Sequence, residues 1–130
     1  MPIINLVPKT KKIEDQIDGL MEQLRARIEA LVIERLDVPL LDVIVNLQTC
    51  PYRNPDPKAA NVVLYLETSP GERLETYGPA LCHALAHLLA EFELTEEPGT
   101  EVWVRSISGA WCLILGPEIK DSTHTPAPAE

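Results

Sequence analysis

The chain has 130 residues and a mass of 14.4 kDa, with 45% apolar and 24% charged residues, which suffices for one compact domain with its own hydrophobic core and is too little for several domains. Its formal charge of -9 excludes nucleic acid as an expected partner, and no apolar run reaches the roughly 20 residues that cross a bilayer. Three widely spaced cysteines indicate reduced thiols rather than a disulfide framework, so we expect a cytoplasmic protein.

The first half of the chain predicts a strand, a helix and a second strand. Residues 3–7 form a β-rich run that ends at Pro8. From residue 13 to about residue 36, apolar side chains recur every three or four positions, which is the period of an amphipathic helix. This stripe consists of Ile13, Ile17, Leu20, Leu24, Ile28 and Leu31. Pro39 ends the helix, and residues 43–47 are the second predicted strand.

A proline-rich segment divides the chain into two halves. Residues 50–60 carry three prolines and several turn-forming residues, a composition that favours a connecting loop. Beyond this loop, residues 62–66 predict a third strand, and residues 102–107 predict a fourth.

The helix predicted between these strands has one apolar face and an interruption near its start. The face consists of Leu74, Tyr77, Leu81, Leu85, Leu88 and Phe92. Gly78 followed by Pro79 predicts that the regular helix starts there. An offset of 59 residues places Ile3 on Val62 and also superposes the second strand on the fourth. This agreement indicates an internal duplication of one β-α-β unit.

Two right-handed β-α-β units side by side form one four-stranded mixed sheet with both helices on the same face, which is an α+β fold. Strand alternation assigns to the helix-covered face Val43, Val45, Leu47, Val62, Leu64, Leu66, Val102 and Val104. It assigns to the opposite face Ile44, Asn46, Val63, Tyr65, Trp103 and Arg105. Because that second face carries many apolar side chains, we expect another subunit to bury it, and we therefore expect a homo-oligomer.

The last part of the chain completes this plan. The run at 111–115 is predicted to add a short strand to the sheet edge of a neighbouring subunit. We expect residues 1–116 to form a single domain, and residues 117–130, which are rich in proline and small polar residues, to form a disordered tail.

Three parts of the sequence carry a resemblance to a known family. They are the opening Met1-Pro2-Ile3-Ile4, the segment LDVPLLDV at 36–43, and a set in the second half made of Leu88-Leu89-Ala90-Glu91, Val102-Trp103-Val104 and Gly109-Ala110-Trp111. In this order and spacing they resemble the tautomerase superfamily, meaning 4-oxalocrotonate tautomerase and the longer macrophage migration inhibitory factor-like proteins. The resemblance covers residues 2 to about 115. It implies the fold of that superfamily, a homotrimer and a small-molecule substrate.

The resemblance assigns the catalytic role to Pro2, which would become the amino terminus when Met1 is removed. An α-amino group has a reference pKa near 7.7–8.0, and an apolar pocket disfavours its cationic form, so a buried terminal amine can be a neutral base. Proline supplies a rigid secondary amine that could take a proton from the carbon next to a carbonyl and return it elsewhere, which is keto-enol tautomerisation. If Met1 stays on, the nitrogen of Pro2 is an amide and cannot act as a base.

The resemblance also implies cationic side chains that hold a substrate carboxylate. Lys12 falls where a family arginine often lies after the first strand, whereas Ile44 occupies the position of a second arginine. Trp103 and Arg105 match positions on the last strand that in the longer members reach a neighbouring subunit's pocket, and Arg73 lies in the turn after the third strand. The expected substrate-binding residues are Lys12, Arg73, Trp103 and Arg105.

A pair of histidines on the second helix raises the question of a metal site. His83 and His87 are four residues apart and share one helix face, which is the spacing of two zinc ligands. A third ligand at a suitable spacing is missing, because Cys82 points about 100° away around the helix. We therefore expect no metal and no other cofactor.

Two alternatives to a tautomerase-like enzyme stay open. The order β-α-β-β-α-β also describes ferredoxin-like domains, including small-ligand-binding modules, and periodicity does not separate sheets that differ in strand order. The other alternative keeps the tautomerase-like fold but makes the protein a catalytically silent trimeric binding or structural homologue, because Ile44 replaces an arginine. The strand that begins at residue 3 and the apolar far face favour the tautomerase-like sheet.

Overall fold

The computed structural model describes residues 2–92 and 99–107. In chain order these residues form β1 (Ile3–Pro8), α1 (Lys11–Leu36), a single 3-10 turn (Leu40–Asp42), β2 (Ile44–Leu47), β3 (Val62–Thr68), α2 (Glu72–Glu91) and β4 (Thr100–Ser106). The predicted strand at 111–115, Cys112 and the predicted tail at 117–130 lie outside the described residues.

The four strands form one mixed sheet in the order β2-β1-β3-β4. β1 runs parallel to β2, with Ile3 opposite Ile44, and β3 runs parallel to β4, with Leu64 opposite Val102. β1 and β3 are antiparallel and lie in the centre. In a ferredoxin-like domain a further strand separates the two parallel strands of each β-α-β unit, whereas here they are direct neighbours. The ferredoxin-like alternative is therefore wrong.

The duplication is one of topology, and its offset of 59 residues matches the side-chain faces of only one of the two strand pairs. The buried positions of β1 are Ile4 and Leu6, and those of β3 are Val62 and Leu64, so an offset that keeps side chains on the same face of these strands must be even. The offset of 59 residues places the half-buried Ile3 on the buried Val62, so it does not match the faces of β1 and β3. It does match the other strand pair, because Val43 and Val102 both lie on the helix side.

Local signals fix both ends of α1. The hydroxyl of Thr10 accepts a hydrogen bond from the N–H of Ile13 at 3.2 Å and caps the first turn. At the other end Asp37 adopts a left-handed conformation with φ of 56°, and its N–H donates to the carbonyl of Ile33 at 2.9 Å. Pro39 follows and prevents the helix from continuing, as predicted.

The second helix begins earlier than predicted. It starts at Glu72 and contains Gly78 and Pro79, so the predicted start near residue 78 is wrong. Pro79 has no N–H for the carbonyl four residues back, but the first turns stay helical because Leu74 packs against the core. A Cβ atom at Gly78 would lie 3.7 Å from a methyl of Leu74 and 3.9 Å from a methyl of Val104, so the helix passes close to the sheet at this point.

The core lies between the two helices and one face of the sheet. The fully buried larger side chains are Ile4, Leu6, Ile17, Leu24, Ile28, Val32, Leu64, Leu66, Leu81, Leu85, Leu88 and Leu89. The predicted face assignment is confirmed, because every residue that was assigned to the helix-covered face is buried in this cluster or packed against it. On the opposite, open face, Trp103 is 47% exposed and Ile44 is 37% exposed. Without another chain this open face meets solvent.

Candidate functional site

Pro2 lies immediately before β1 and is buried. Its carbonyl accepts a hydrogen bond from the N–H of Ile44 at 3.1 Å, which continues the pairing of β1 with β2. The hydrogen bond to β2 thus fixes the backbone at the start of β1, and with it the position of the Pro2 nitrogen. This is the setting in which burial would favour the neutral form of a terminal amine.

The strand directions bring several predicted residues to the same end of the sheet as Pro2. β1 and β2 begin at this end, and β3 and β4 end there. Ile3 lies opposite Glu67, which in turn lies opposite Arg105. With strands about 4.8 Å apart, the backbone of Arg105 is about 10 Å from the start of β1. Pro2 is buried and Arg105 lies on the open face, so a ligand that meets both must reach around the end of the sheet.

Arg105 is an ion-paired cation. Its Nε and Nη2 atoms donate to the same oxygen, Oε2 of Glu67, at 2.9 Å and 2.8 Å. Its guanidinium also lies over the ring of Tyr65, 5.0 Å from the centroid. Two neighbours on β3 therefore fix the orientation of Arg105, and Glu67 compensates its charge.

Arg73 is engaged with the helices. It lies in the first turn of α2, and its Nη2 donates to the carbonyl of Arg35 near the end of α1 at 3.1 Å. Its guanidinium lies 4.7 Å from the ring centroid of Tyr77. Tyr77 is therefore a surface residue with 38% exposure, and its assignment to the buried face of the helix is wrong.

Lys12 lies at the opposite end of the molecule from Pro2. It is exposed in the first turn of α1, which follows the end of β1. Six residues of β1 span about 20 Å, too far for the side chain of Lys12 to reach Pro2 of its own chain. Its neighbour Lys11 pairs with Asp15 at 3.1 Å and Glu14 at 3.5 Å, and the hydrogen bond to Asp15 is the main reason that the pKa of Lys11 is raised. Among the described residues, Lys12 has no such carboxylate partner.

A shallow depression of about 350 Å³ lies on the open face of the sheet and extends inward from Arg105. It is lined by Asn5, Val7, Gln48, Thr49, Pro51, Tyr65, Glu67 and Arg105. Oδ1 of Asn5 accepts hydrogen bonds from Gln48 at 2.8 Å and from Asn46 at 3.3 Å, which gives the middle of this face a polar amide cluster. Trp103 lies opposite Tyr65 on the next strand and is not among the lining residues.

Sequence reasoning missed the polar residues of this depression. Asn5 interrupts an apolar strand at an outward position, and Asn46 lies opposite it in the observed register. Alternation assigned Asn46 to the open face and could have assigned Asn5 there as well, but the antiparallel pairing of β1 with β3, which brings Tyr65 beside Asn5, could not be read from periodicity. Glu67 had no sequence signal of its own.

A buried lysine holds the loop that forms one wall of the depression. Lys9 is 9% exposed, and its Nζ donates to the carbonyls of Pro57 and Ala59, both at 2.9 Å. Where the loop begins, the N–H of Cys50 donates to a carboxylate oxygen of Glu14 at 2.9 Å, and the thiol of Cys50 donates to the carbonyl of Lys9 at 3.1 Å. These contacts hold the segment that follows β2 against the end of β1 and the first turn of α1.

The remaining side chains give no metal site within residues 2–92 and 99–107. No group of three or more His, Cys, Asp or Glu residues in this part of the chain could hold a metal ion. His83 and His87 are both exposed on α2, and His87 lines a separate groove between the helices. None of the helices in the described ranges is long and apolar enough to span a membrane.

Comparisons with known proteins identify relatives by structure. No family model and no curated protein matches the chain. The solved structure of N1, a member of the cis-3-chloroacrylic acid dehalogenase family, matches with a TM-score of 0.65 and 14% identity over 82% of this chain and 76% of that one. A fused 4-OT described as a wild-type symmetric trimer matches with a TM-score of 0.55 and 18% identity over 81% and 85%. A macrophage migration inhibitory factor-like protein from Entamoeba histolytica matches with a TM-score of 0.53 and 13% identity over 83% and 88%.

At sequence identities of 13–18%, these matches show that the chain is similar to the three proteins in fold. The fused 4-OT and the macrophage migration inhibitory factor-like protein carry the names of the two groups that the sequence resembles. The two parallel β-α-β units joined through a central antiparallel pair are the arrangement that the resemblance implies. The described part of the chain has the fold of the tautomerase superfamily.

Proposed function

We propose that this protein is a tautomerase-like isomerase that uses Pro2, freed by removal of Met1, as a general base on a small keto or enol carboxylic acid. The observation that carries the proposal is the buried position of Pro2 at the start of a central strand. A neutral secondary amine there would take the proton from the carbon next to the substrate carbonyl, leaving an enolate, and would return it to a different atom of the same molecule. Such a transfer needs no cofactor.

The geometry supports a site formed between copies of the chain. Lys12 is about 20 Å from Pro2 of its own chain, so if both residues serve one substrate they must come from different copies. The charges at the two ends favour such an approach. Besides Glu67, exposed carboxylates at the Pro2 end include Asp37 and Asp42, whereas Lys12 is a cation without a carboxylate partner among the described residues. In this arrangement Lys12 holds the substrate carboxylate.

We expect a homotrimer in solution, in which other copies cover the open face of the sheet. Trp103 is 47% exposed on that face, so Trp103→Arg should place a charge in the contact and convert the trimer into monomers at micromolar concentration. The control is Tyr52→Arg, because Tyr52 is a similarly exposed aromatic residue, at 51%, in the loop after β2. Sedimentation equilibrium measures both. A monomeric or dimeric native protein would contradict the expectation, and so would a trimer that tolerates Trp103→Arg.

The direct test of the proposed function combines intact-mass measurement with an assay. The native protein should have a mass that corresponds to loss of Met1, and the processed chain should tautomerise a small enol-keto acid such as phenylpyruvate with weak turnover. Retention of Met1 in most molecules would leave Pro2 without a basic nitrogen and would overturn the proposal. The mass is checked first because it decides whether the assay concerns the right species.

A second candidate function is a trimeric binding protein without catalysis. It is favoured by Ile44, a 37% exposed aliphatic residue at the position where the resemblance implies an arginine. A site that lacks this cation loses one means of stabilising negative charge on the substrate oxygen. The candidate is selected if the processed trimer binds small carboxylates and turns none of them over.

A further inference from the structure

Thr68 is a buried hydroxyl residue directly beside Pro2. β1 and β3 are antiparallel, and their register, continued one residue beyond Ile3, places Pro2 opposite Thr68. The carbonyl of Pro2 accepts its hydrogen bond from Ile44 on β2, so Pro2 and Thr68 form a pair without mutual hydrogen bonds. In such pairs the Cα atoms are about 4.5 Å apart and the side chains are closest. Both residues are buried, and strand alternation puts both on the helix side of the sheet.

The hydroxyl of Thr68 has no hydrogen-bond partner within residues 2–92 and 99–107, although the residue is only 7% exposed. In the same ranges, every fully enclosed side-chain oxygen or nitrogen of the buried and half-buried residues does have a partner. The exposed part of Thr68 therefore includes its hydroxyl oxygen. The backbone of Thr68 is fixed, because its carbonyl accepts a hydrogen bond from the N–H of Ile107 at 2.8 Å. A ligand beside Pro2 thus meets an unused hydroxyl on a rigid strand.

The proposed trimer leaves this hydroxyl accessible. Thr68 lies on the helix side of the sheet, whereas the other copies are expected to cover the opposite, open face. A ligand that lies against the nitrogen of Pro2 therefore reaches Thr68 on the same side of the sheet and does not have to pass around the end of a strand.

The separation of the two residues suits a donor for the substrate oxygen. A base nitrogen lies about 3–3.5 Å from the carbon that it deprotonates, and the carbonyl oxygen lies about 2.4 Å from that carbon. A donor to this oxygen is about 2.7–3.1 Å further away, so along this bent path it lies roughly 4–7 Å from the nitrogen. With Cα atoms about 4.5 Å apart, the hydroxyl of Thr68 falls in this range.

We propose that the hydroxyl of Thr68 is a catalytic group that donates a hydrogen bond to the substrate carbonyl oxygen. The inference deepens the proposed function and rests on it. When Pro2 takes the proton from the neighbouring carbon, the electron pair of the C–H bond forms a C=C bond, and the π pair of the carbonyl moves to the oxygen. The proton on Pro2 then passes to this oxygen and gives the enol. A donor at the oxygen stabilises the developing charge, which matters more where Ile44 supplies no cation.

A role of this hydroxyl in folding alone would give a different result. Because the hydroxyl has no partner, Thr68→Val removes no intramolecular hydrogen bond, and valine is favoured in strands. The free energy of unfolding should therefore stay the same or rise. A loss of activity without a loss of stability is the behaviour of a functional position.

The kinetic test compares Thr68→Val with Thr68→Ser in the processed full-length protein. Thr68→Val should lower kcat for phenylpyruvate by roughly 10²-fold, as expected when one donor to an enolate oxygen is lost, with a smaller change in KM. Thr68→Ser keeps the hydroxyl and should recover most of the rate. The matched control is Thr76→Val, on the exposed surface of α2, which should leave the rate unchanged. Native turnover in Thr68→Val would overturn the inference, and so would an equal loss in Thr68→Ser.

A binding experiment isolates the contact with the keto oxygen. Hydrocinnamate has the carbon skeleton and the carboxylate of phenylpyruvate but lacks the keto oxygen. Calorimetry at tautomeric equilibrium measures the dissociation constants of both ligands and needs no turnover. Thr68→Val should weaken phenylpyruvate binding by roughly two- to tenfold, the size of one neutral hydrogen bond, and should leave hydrocinnamate binding unchanged. An equal change for both ligands, or no change for either, would overturn the inference.

The inference and the proposed function can fail independently. An inactive native protein in which Thr68→Val selectively weakens phenylpyruvate binding would keep the hydrogen bond from Thr68 and remove the base. An active protein with an unchanged affinity ratio in Thr68→Val would keep the base and remove the role of Thr68. A shifted pH profile of kcat/KM with an unchanged ratio would show that the hydroxyl contacts the amine of Pro2 instead of the substrate, which also overturns the inference.

Discussion

Replacing Pro2 by alanine in the processed protein is expected to lower the turnover of a small keto or enol acid by roughly 10²–10⁴-fold, the contribution of one general base. Alanine leaves a primary amine at the same point of the chain, but this amine lacks the ring that fixes its direction and has a different basicity. Because Pro2 lies at the first residue before a central strand, its backbone position should survive the change. The loss should therefore appear mainly in kcat, with a smaller effect on KM.

The matched control for Pro2→Ala is Pro70→Ala. Pro70 is exposed in the turn after β3, at the same end of the sheet, and no proton transfer is assigned to it. Its substitution should leave turnover unchanged. Both variants need the intact-mass measurement, since methionine removal depends on the residue that follows Met1. Full activity in a correctly processed Pro2→Ala protein would show that the proline mechanism is wrong, whatever the fold.

The resemblance and the strand pattern predicted the fold because the relevant signals are local. The cap at Thr10, the apolar period of α1 and Pro39 each act within a few residues, and they set the bounds of the first helix. Pro79 misled the prediction because its local preference competes with tertiary packing. Leu74 gains burial when the first turns of α2 are helical, and that burial outweighs one missing backbone hydrogen bond.

The candidate site was less predictable because it depends on the register between strands. Arg105 was selected by resemblance, but its partner Glu67 is 38 residues away in sequence and becomes its neighbour through the pairing of β3 with β4. Sequence alone therefore described Arg105 as an available cation, and the pairing changes it into one half of an ion pair. Lys12 shows the opposite case, since it is available but lies too far from Pro2 of the same chain.

The amide cluster explains why the open face differs from an ordinary apolar contact. The cluster consists of Asn5 on β1, Asn46 on β2 and Gln48 just after β2. It lies between the exposed side chains of Ile44 and Trp103. Polar groups that satisfy one another tolerate either water or another chain. A trimer that covers this face would therefore bury its apolar corners while the amide cluster keeps its own hydrogen bonds.

Replacing Lys9 by methionine is expected to lower the free energy of unfolding by roughly 2–4 kcal/mol, because two hydrogen bonds from a charged donor are lost. Lys9 is 9% exposed, and its ammonium group lies 2.9 Å from the carbonyl oxygens of both Pro57 and Ala59. Methionine keeps an unbranched stem of similar length, so the apolar packing is retained and the change isolates the ammonium group. The loop after β2 then loses the contact that holds its far end.

The control for Lys9→Met is Lys58→Met in the same loop. Lys58 has a side chain that is 88% exposed, and its ammonium group lies 3.8 Å from a carboxylate oxygen of Asp56, so its substitution should change the free energy of unfolding by less than about 0.5 kcal/mol. Urea unfolding followed by circular dichroism measures both variants, at one protein concentration because association adds to apparent stability. Equal stability of Lys9→Met and the native protein would mean that the ammonium group of Lys9 does not hold the loop.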